Sequence, residues 1–186
     1  NPLANILTLL IPERTKPSRP KLTALDVRLF DAPALAIEQS QQEIIRMGKM
    51  VADMMKVLKE IMISGGGSKE KQEYIFQQER EIDVIQKEIV EFVGHMMTGI
   101  ISRDVAERAR WQIRITDEYE SISDYITNIC KFNLKLIDEH QQITPEGRKA
   151  ILDLHDNVSE YIAFINEAVS SSNGEMLTEA DGRGRF

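Results

Sequence analysis

Apolar side chains recur every three or four residues through four long stretches of this chain, and between the stretches lie residues that a helix cannot run through. The first stretch aligns Ile37, Ile44, Met47, Val51, Met54, Leu58 and Ile61, and the second Ile75, Ile82, Ile85, Ile89, Phe92 and Met96. The third aligns Ile115, Tyr119, Ile122, Ile126 and Ile129, and the fourth Ile151, Leu154, Val158, Tyr161, Ile165 and Ala168. Such spacing gathers side chains into one stripe of an α-helix, whereas a half-buried strand needs strict alternation. Asp31, as N-cap, with Pro33 in the first turn predicts where the first helix starts, and Ser64-Gly65-Gly66-Gly67-Ser68 where it ends. A second helix is expected from about Lys69 to Met97. A third runs from near Ser102 to about Glu139 after a break at Thr98-Gly99, and a fourth follows Thr144 as cap and Pro145. Long helices with short connections bury their stripes against one another, so the expected fold is an all-α antiparallel helical bundle.

The chain has 186 residues, enough for one domain with a proper core, and its 42% hydrophobic and 28% charged content is that of a folded protein. A net charge of −7 argues against nucleic acid as a general partner. The single Cys130 excludes an intrachain disulfide. Charge is uneven: residues 1–31 hold five Lys/Arg against three Asp/Glu, so the acidic excess lies beyond them. Ile6 to Ile11 is an apolar run, followed by Arg14, Lys16, Arg19 and Lys21 among Pro12, Pro17 and Pro20. The run is far short of the roughly 20 apolar residues that cross a bilayer, and its charges follow it where those of a signal peptide precede. The order matches the cytoplasmic exit of a transmembrane helix, and it equally suits a flexible linker. The expected organisation is a basic, Pro-rich juxtamembrane linker over 1–31, a bundle over 32–171 and a polar, Gly-containing tail over 172–186.

Two copies of one acidic spacing stand out, Glu79 with Asp83 and Glu120 with Asp124. Four residues is about one helical turn, so each pair shares a face and repels itself by roughly 0.2–0.5 kcal/mol. A multivalent cation would convert that repulsion into coordination; a solvated acidic face would show the same spacing. Asp117 and Asn128 extend the second pair into an outward stripe, and Glu79 and Asp83 flank the apolar seam of their helix near Glu81, Gln86 and Glu88. Consecutive helices with a short connection should be antiparallel neighbours, so both acidic stripes can meet in one groove. An all-oxygen site of this kind suits magnesium, manganese, calcium or iron better than zinc.

Asp117-Glu118-Tyr119-Glu120-Ser121-Ile122-Ser123-Asp124-Tyr125-Ile126-Thr127-Asn128-Ile129 resembles the signature of PhoU proteins, and Glu79 to Asp83 resembles the partner motif on the preceding helix of the same three-helix repeat. Leu25 to Phe30 followed by Pro33-Ala34-Leu35-Ala36 resembles the junction ahead of the PhoU-like domain of bacterial sodium-dependent phosphate cotransporters. The likeness covers about residues 25–170. It implies a bundle built on three-helix repeats, a regulatory rather than enzymatic role in phosphate uptake, and metal held by Glu79, Asp83, Asp117, Glu120 and Asp124, with iron, manganese or magnesium as the ion. It further implies the cytoplasmic face of the cell membrane, a membrane transporter portion of the same polypeptide as partner, and phosphate-signalling proteins as further partners. Ser123 stands where the family commonly has glycine, which could crowd a cluster. The second repeat looks incomplete, so Ile151, Leu154, Val158, Ile162 and Ile165 are expected to need a cover, for which a symmetric homodimer is the simplest. Alternatives are a free-standing PhoU-type regulator and a helical scaffold without metal.

Other chemistries fit the residues poorly. A ferritin-like di-iron site needs Glu-x-x-His, and Glu91 to His95 has the wrong spacing. His140 and His155 lack zinc-ligand spacing to other His or Cys, and Ser64 to Ser68 lacks the Lys-Ser/Thr of a phosphate loop. Cys130 and Trp111 read as packing residues, with Trp111 alternatively at an interface.

Overall fold

A computed structural model of the chain describes residues 21–171. A short 3-10 turn, Val27–Asp31, precedes four helices: α1 (Pro33–Ser64), α2 (Lys69–Met96), α3 (Arg103–Asp138) and α4 (Pro145–Ser171). No strand occurs among the described residues, and none of their helices is long and apolar enough to cross a membrane. The apolar run Ile6–Ile11 and the basic Arg14, Lys16 and Arg19 lie outside the described residues.

Most expected helix ends are made by the expected chemistry. Ser102 Oγ accepts from Val105 N at 3.3 Å, and Thr144 Oγ1 accepts from Gly147 N at 3.1 Å, each supplying one of the acceptors that a helix N-terminus lacks. Gly65 closes α1 at φ 70°, a left-handed conformation that glycine adopts without penalty. Asp31 is a correction. Asp26 caps the 3-10 turn by accepting from Arg28 N, so the chain stays coiled through Asp31, and Ala32 becomes the N-cap of α1 with no side-chain bond.

Helices α1, α2 and α3 pack mutually, and α4 packs on α1. All seven seam residues predicted on α1 and all six on α2 are buried. The chain from Leu22 onward is already docked: Glu88 accepts from Leu22 N and Thr23 N, Glu43 accepts from Ala24 N, and Leu25 is in the core. Glu88 therefore serves this tether rather than the acidic groove.

On the other two helices the inward face is rotated from the expected one. Along α3 the buried side is Ala109, Gln112, Thr116, Tyr119, Ser123, Ile126, Thr127 and Cys130, while Ile115 and Ile122 are only partly buried and Ile129 is exposed. Small side chains let three helices approach closely, and Gln112 is satisfied there: it donates to Ile37 O at 2.9 Å and accepts from Ser40 Oγ at 2.6 Å, whereas the buried Thr127 Oγ1 has no hydrogen-bond partner. Along α4 the buried residues are His155, Ile162, Ala168 and Val169, and the expected Ile151, Leu154, Val158 and Tyr161 are exposed.

Candidate metal centre on the second and third helices

Gln86 Nε2 of α2 donates to Asp117 Oδ1 of α3 at 2.8 Å, which fixes the register of these antiparallel helices. Moving one turn back along α2 and one turn on along α3 sets Asp83 level with Glu120, and one turn more sets Glu79 level with Asp124. The two acidic pairs thus face each other end for end.

Their electrostatics agree with this placement. The Glu120 carboxyl is raised above the usual glutamate range, first by partial burial and then by the negative charges of Asp124, Asp83 and Asp117. Glu79, Asp83 and Glu120 are half-buried, whereas Asp117 and Asp124 are exposed. The sequence reading took all of the α3 acids as outward; the rotated inward face of α3 brings Glu120 to the rim of the core.

Two carboxylates already have partners. Lys87 Nζ donates to Asp83 at 2.7 Å, and Asp117 takes the Gln86 amide. Among the described residues no group of three or more His, Cys, Asp and Glu converges as a ready metal cage. Lys87 is the residue that sequence reasoning passed over, although its position four after Asp83 is a spacing at which helical side chains meet. Ser123 does not crowd the groove: it is fully buried on the core face, and its hydroxyl donates to Glu120 O at 2.8 Å.

Other candidate groups have structural roles. Cys130 is buried and its thiol is raised by burial, which makes it less reactive. His155 is buried, with Nε2 3.0 Å from Met55 O, and His95 stacks edge-on to Phe30.

The fold and the groove define a helical bundle carrying paired carboxylates between two antiparallel helices. A PhoU domain is found at residues 44–132, a span that contains all five acids of the groove. No curated protein and no solved structure matches the chain significantly.

Proposed function

We propose that this chain is a PhoU-type regulatory module of phosphate transport, with a cation-responsive carboxylate groove between α2 and α3. The observation that carries the reading is the register of Glu79 and Asp83 against Asp124 and Glu120, inside the stretch that matches the PhoU domain. The donor set is chemically suited to a hard cation such as manganese, magnesium or iron: every donor is a carboxylate oxygen, and Glu120 already registers the excess negative charge. Asp83, Asp117, Glu120 and Asp124 would hold the ion, with Glu79 at the end of the row. When bound, the ion would neutralise their repulsion and tie α2 to α3. Asp83 would then release Lys87, and Asp117 would release Gln86, so the groove would change its hydrogen bonding on loading.

The finer reading places the module at the cytoplasmic face of the membrane, as the regulatory part of a sodium/phosphate cotransporter. It is supported by the apolar run followed by Arg14, Lys16, Arg19 and Lys21, and by the junction-like Leu25–Ala36. Its partners would be the membrane portion of the same polypeptide and phosphate-signalling proteins. Segments of about 20 apolar residues ahead of Asn1 in the gene are the expected finding; a gene without them would favour a free-standing regulator. A metal-free scaffold is the second reading, and the existing Lys87–Asp83 pair is the observation in its favour.

Equilibrium dialysis against manganese or iron with elemental analysis tests the groove. Wild type should retain metal, and Glu120→Gln with Asp124→Asn should lose it at unchanged helicity. Equal metal content in the two proteins would leave the scaffold.

A further inference from the structure

The segment that leads into the bundle is held chiefly by its backbone. Between Leu22 and Asp26 the chain forms no helix or strand, so its N–H and C=O groups need partners from elsewhere. Side chains of two helices supply them. On α2, Glu88 Oε1 accepts from Leu22 N at 3.0 Å, and Oε2 accepts from Thr23 N at 2.9 Å and from the Thr23 hydroxyl at 2.6 Å. On α1, Glu43 accepts from Ala24 N at 2.9 Å and Arg46 donates to Leu22 O at 2.9 Å. Gln39, also on α1, donates to Ala24 O at 2.9 Å and accepts from Asp26 N at 2.8 Å. Thr23 and Leu25 are themselves buried. The turn that follows keeps to the same two helices, with Phe30 and Phe92 ring centroids 5.1 Å apart.

This segment therefore bridges α1 and α2. Hydrogen bonds weaken steeply outside a narrow range of distance and angle, so the bonds to Glu88 and those to Gln39, Glu43 and Arg46 are all made only at one spacing and register of the two helices. The α2 anchor has a counterpart across the helix. Gln86, which bonds Asp117 of α3 at 2.8 Å, precedes Glu88 by two residues, and two residues raise a helix by about 3 Å and turn it by about 200°. Helix α2 is thus gripped on opposite flanks at nearly one height, by the segment on one side and by α3 on the other. A displacement of α2 against α3 at this height carries Glu88 with it, away from Leu22 N and Thr23 N.

We infer that residues 21–26 are a strap that couples the chain ahead of Lys21 to the position of α2: docked, the strap locks α2 against α1, and a shift of α2 on α3 releases it. The coupling is reciprocal, so a pull on the strap biases the α2–α3 contact in turn. It gives the carboxylate groove of the proposed function, which lies on the α3 flank of α2, a route to the rest of the polypeptide. The coupling itself rests on Gln86 and Glu88 and does not depend on metal.

Native-state hydrogen exchange of the metal-free 186-residue chain tests the strap. It is read at the amides of Leu22, Thr23, Ala24 and Asp26, with Ile44 and Met47 of α1 as reference. In wild type the four strap amides should be protected. Glu88→Ala should speed exchange at Leu22 and Thr23 by about tenfold or more, as for a segment that opens locally after losing its acceptor, and leave the reference amides unchanged. Gln86→Glu lies on the flank away from the strap and sets a carboxylate against Asp117. It should speed all four strap amides by about threefold or more, within the range of couplings carried between sites by packed elements, again with the reference unchanged. Unprotected strap amides in wild type, or amides indifferent to Glu88→Ala, would overturn the strap. Strap amides indifferent to Gln86→Glu would overturn the coupling, and so would a rise shared equally by Ile44 and Met47, which is general loosening. Metal retention in dialysis is a separate measurement, so the groove and the strap fail independently.

Discussion

Helix α2 and helix α4 are nearly equal in length, yet one is built into the molecule and the other is attached to it. Helix α2 touches both α1 and α3 and buries Ile75, Ile82, Ile85, Ile89 and Phe92 in an apolar core. Helix α4 touches α1, and that contact is largely a ladder of polar bonds: Arg148 to Met62 O at 3.0 Å, His155 to Met55 O at 3.0 Å, Asn166 to Gly48 O at 2.8 Å, and Gln41 to Val169 O at 2.8 Å. Lys59 adds an ion pair to Asp156 at 2.6 Å. Apolar burial is strong and indifferent to register, at about 25 cal/mol per Å². Hydrogen bonds contribute only about 0.5–1.5 kcal/mol each but demand alignment. The difference teaches that α1–α3 is the stable unit and that α4 is held by geometry more than by bulk.

The widest separation between the two regions should come from truncating one side chain in each. Ile82→Ala should cost about 2–5 kcal/mol, because it opens a cavity in a fully packed site. Val158→Ala should stay within about 0.5 kcal/mol, because the side chain is already exposed. Urea denaturation of both variants checks the pair; equal losses would break the comparison.

A second test targets the one place where α4 needs α1 to be small. A Cβ at Gly48 would lie 2.5 Å from Asn166 Oδ1 and 2.8 Å from the Tyr119 hydroxyl, the two groups that bond each other at 2.6 Å. Gly→Ala in an exposed helix interior normally gains about 1 kcal/mol. Here Gly48→Ala should lose about 1–3 kcal/mol by overpacking, and a gain in thermal denaturation would show that α4 docks without this close approach.

Hydrogen exchange should rank the helices. Amides of α4 are expected to exchange at least about tenfold faster than those in the middle of α1 and α2, since a helix with one partner can open without disrupting the rest. Equal protection across the helices would mean that the bundle unfolds as one unit.

The smallest effect concerns the carboxylate groove. Glu120 has a folded-state pKa above its unfolded value, so its contribution to stability is fully present below the unfolded glutamate pKa and is lost as pH rises through the raised folded value. Glu120→Gln should therefore raise the metal-free melting temperature at neutral pH and flatten its fall with pH just above the ordinary carboxylate range. A variant less stable than wild type at neutral pH would contradict the repulsion among Asp83, Asp117, Glu120 and Asp124.

The groove was legible in part because its two pairs lie on single helices, where spacing alone sets the face. Gln86 was noted beside the acids, but its bond to Asp117 depends on the α2–α3 register, which no single helix contains. The rotation that brings Glu120 to the core rim was not legible either. Large apolar residues on α3 outline one stripe through Ile122 and Ile129, and the helix packs instead through Gln112, Thr116, Ser123 and Thr127, whose fit depends on Ser40, Ile37 and the close approach of α1.

By itself the sequence determined the helices, their breaks and caps, and the seams of α1 and α2, because backbone conformation and one-sided burial follow from local spacing and side-chain chemistry. Only the tertiary structure decided which of two apolar stripes on α3 and α4 faces inward, that Asp31 does not cap α1, and that Glu79 to Asp83 lies level with Asp124 to Glu120. A helix with two apolar stripes satisfies its own periodicity in either orientation, and the choice falls to the neighbour that fits: small residues and matched hydrogen bonds against α1, and the larger apolar stripe left facing out.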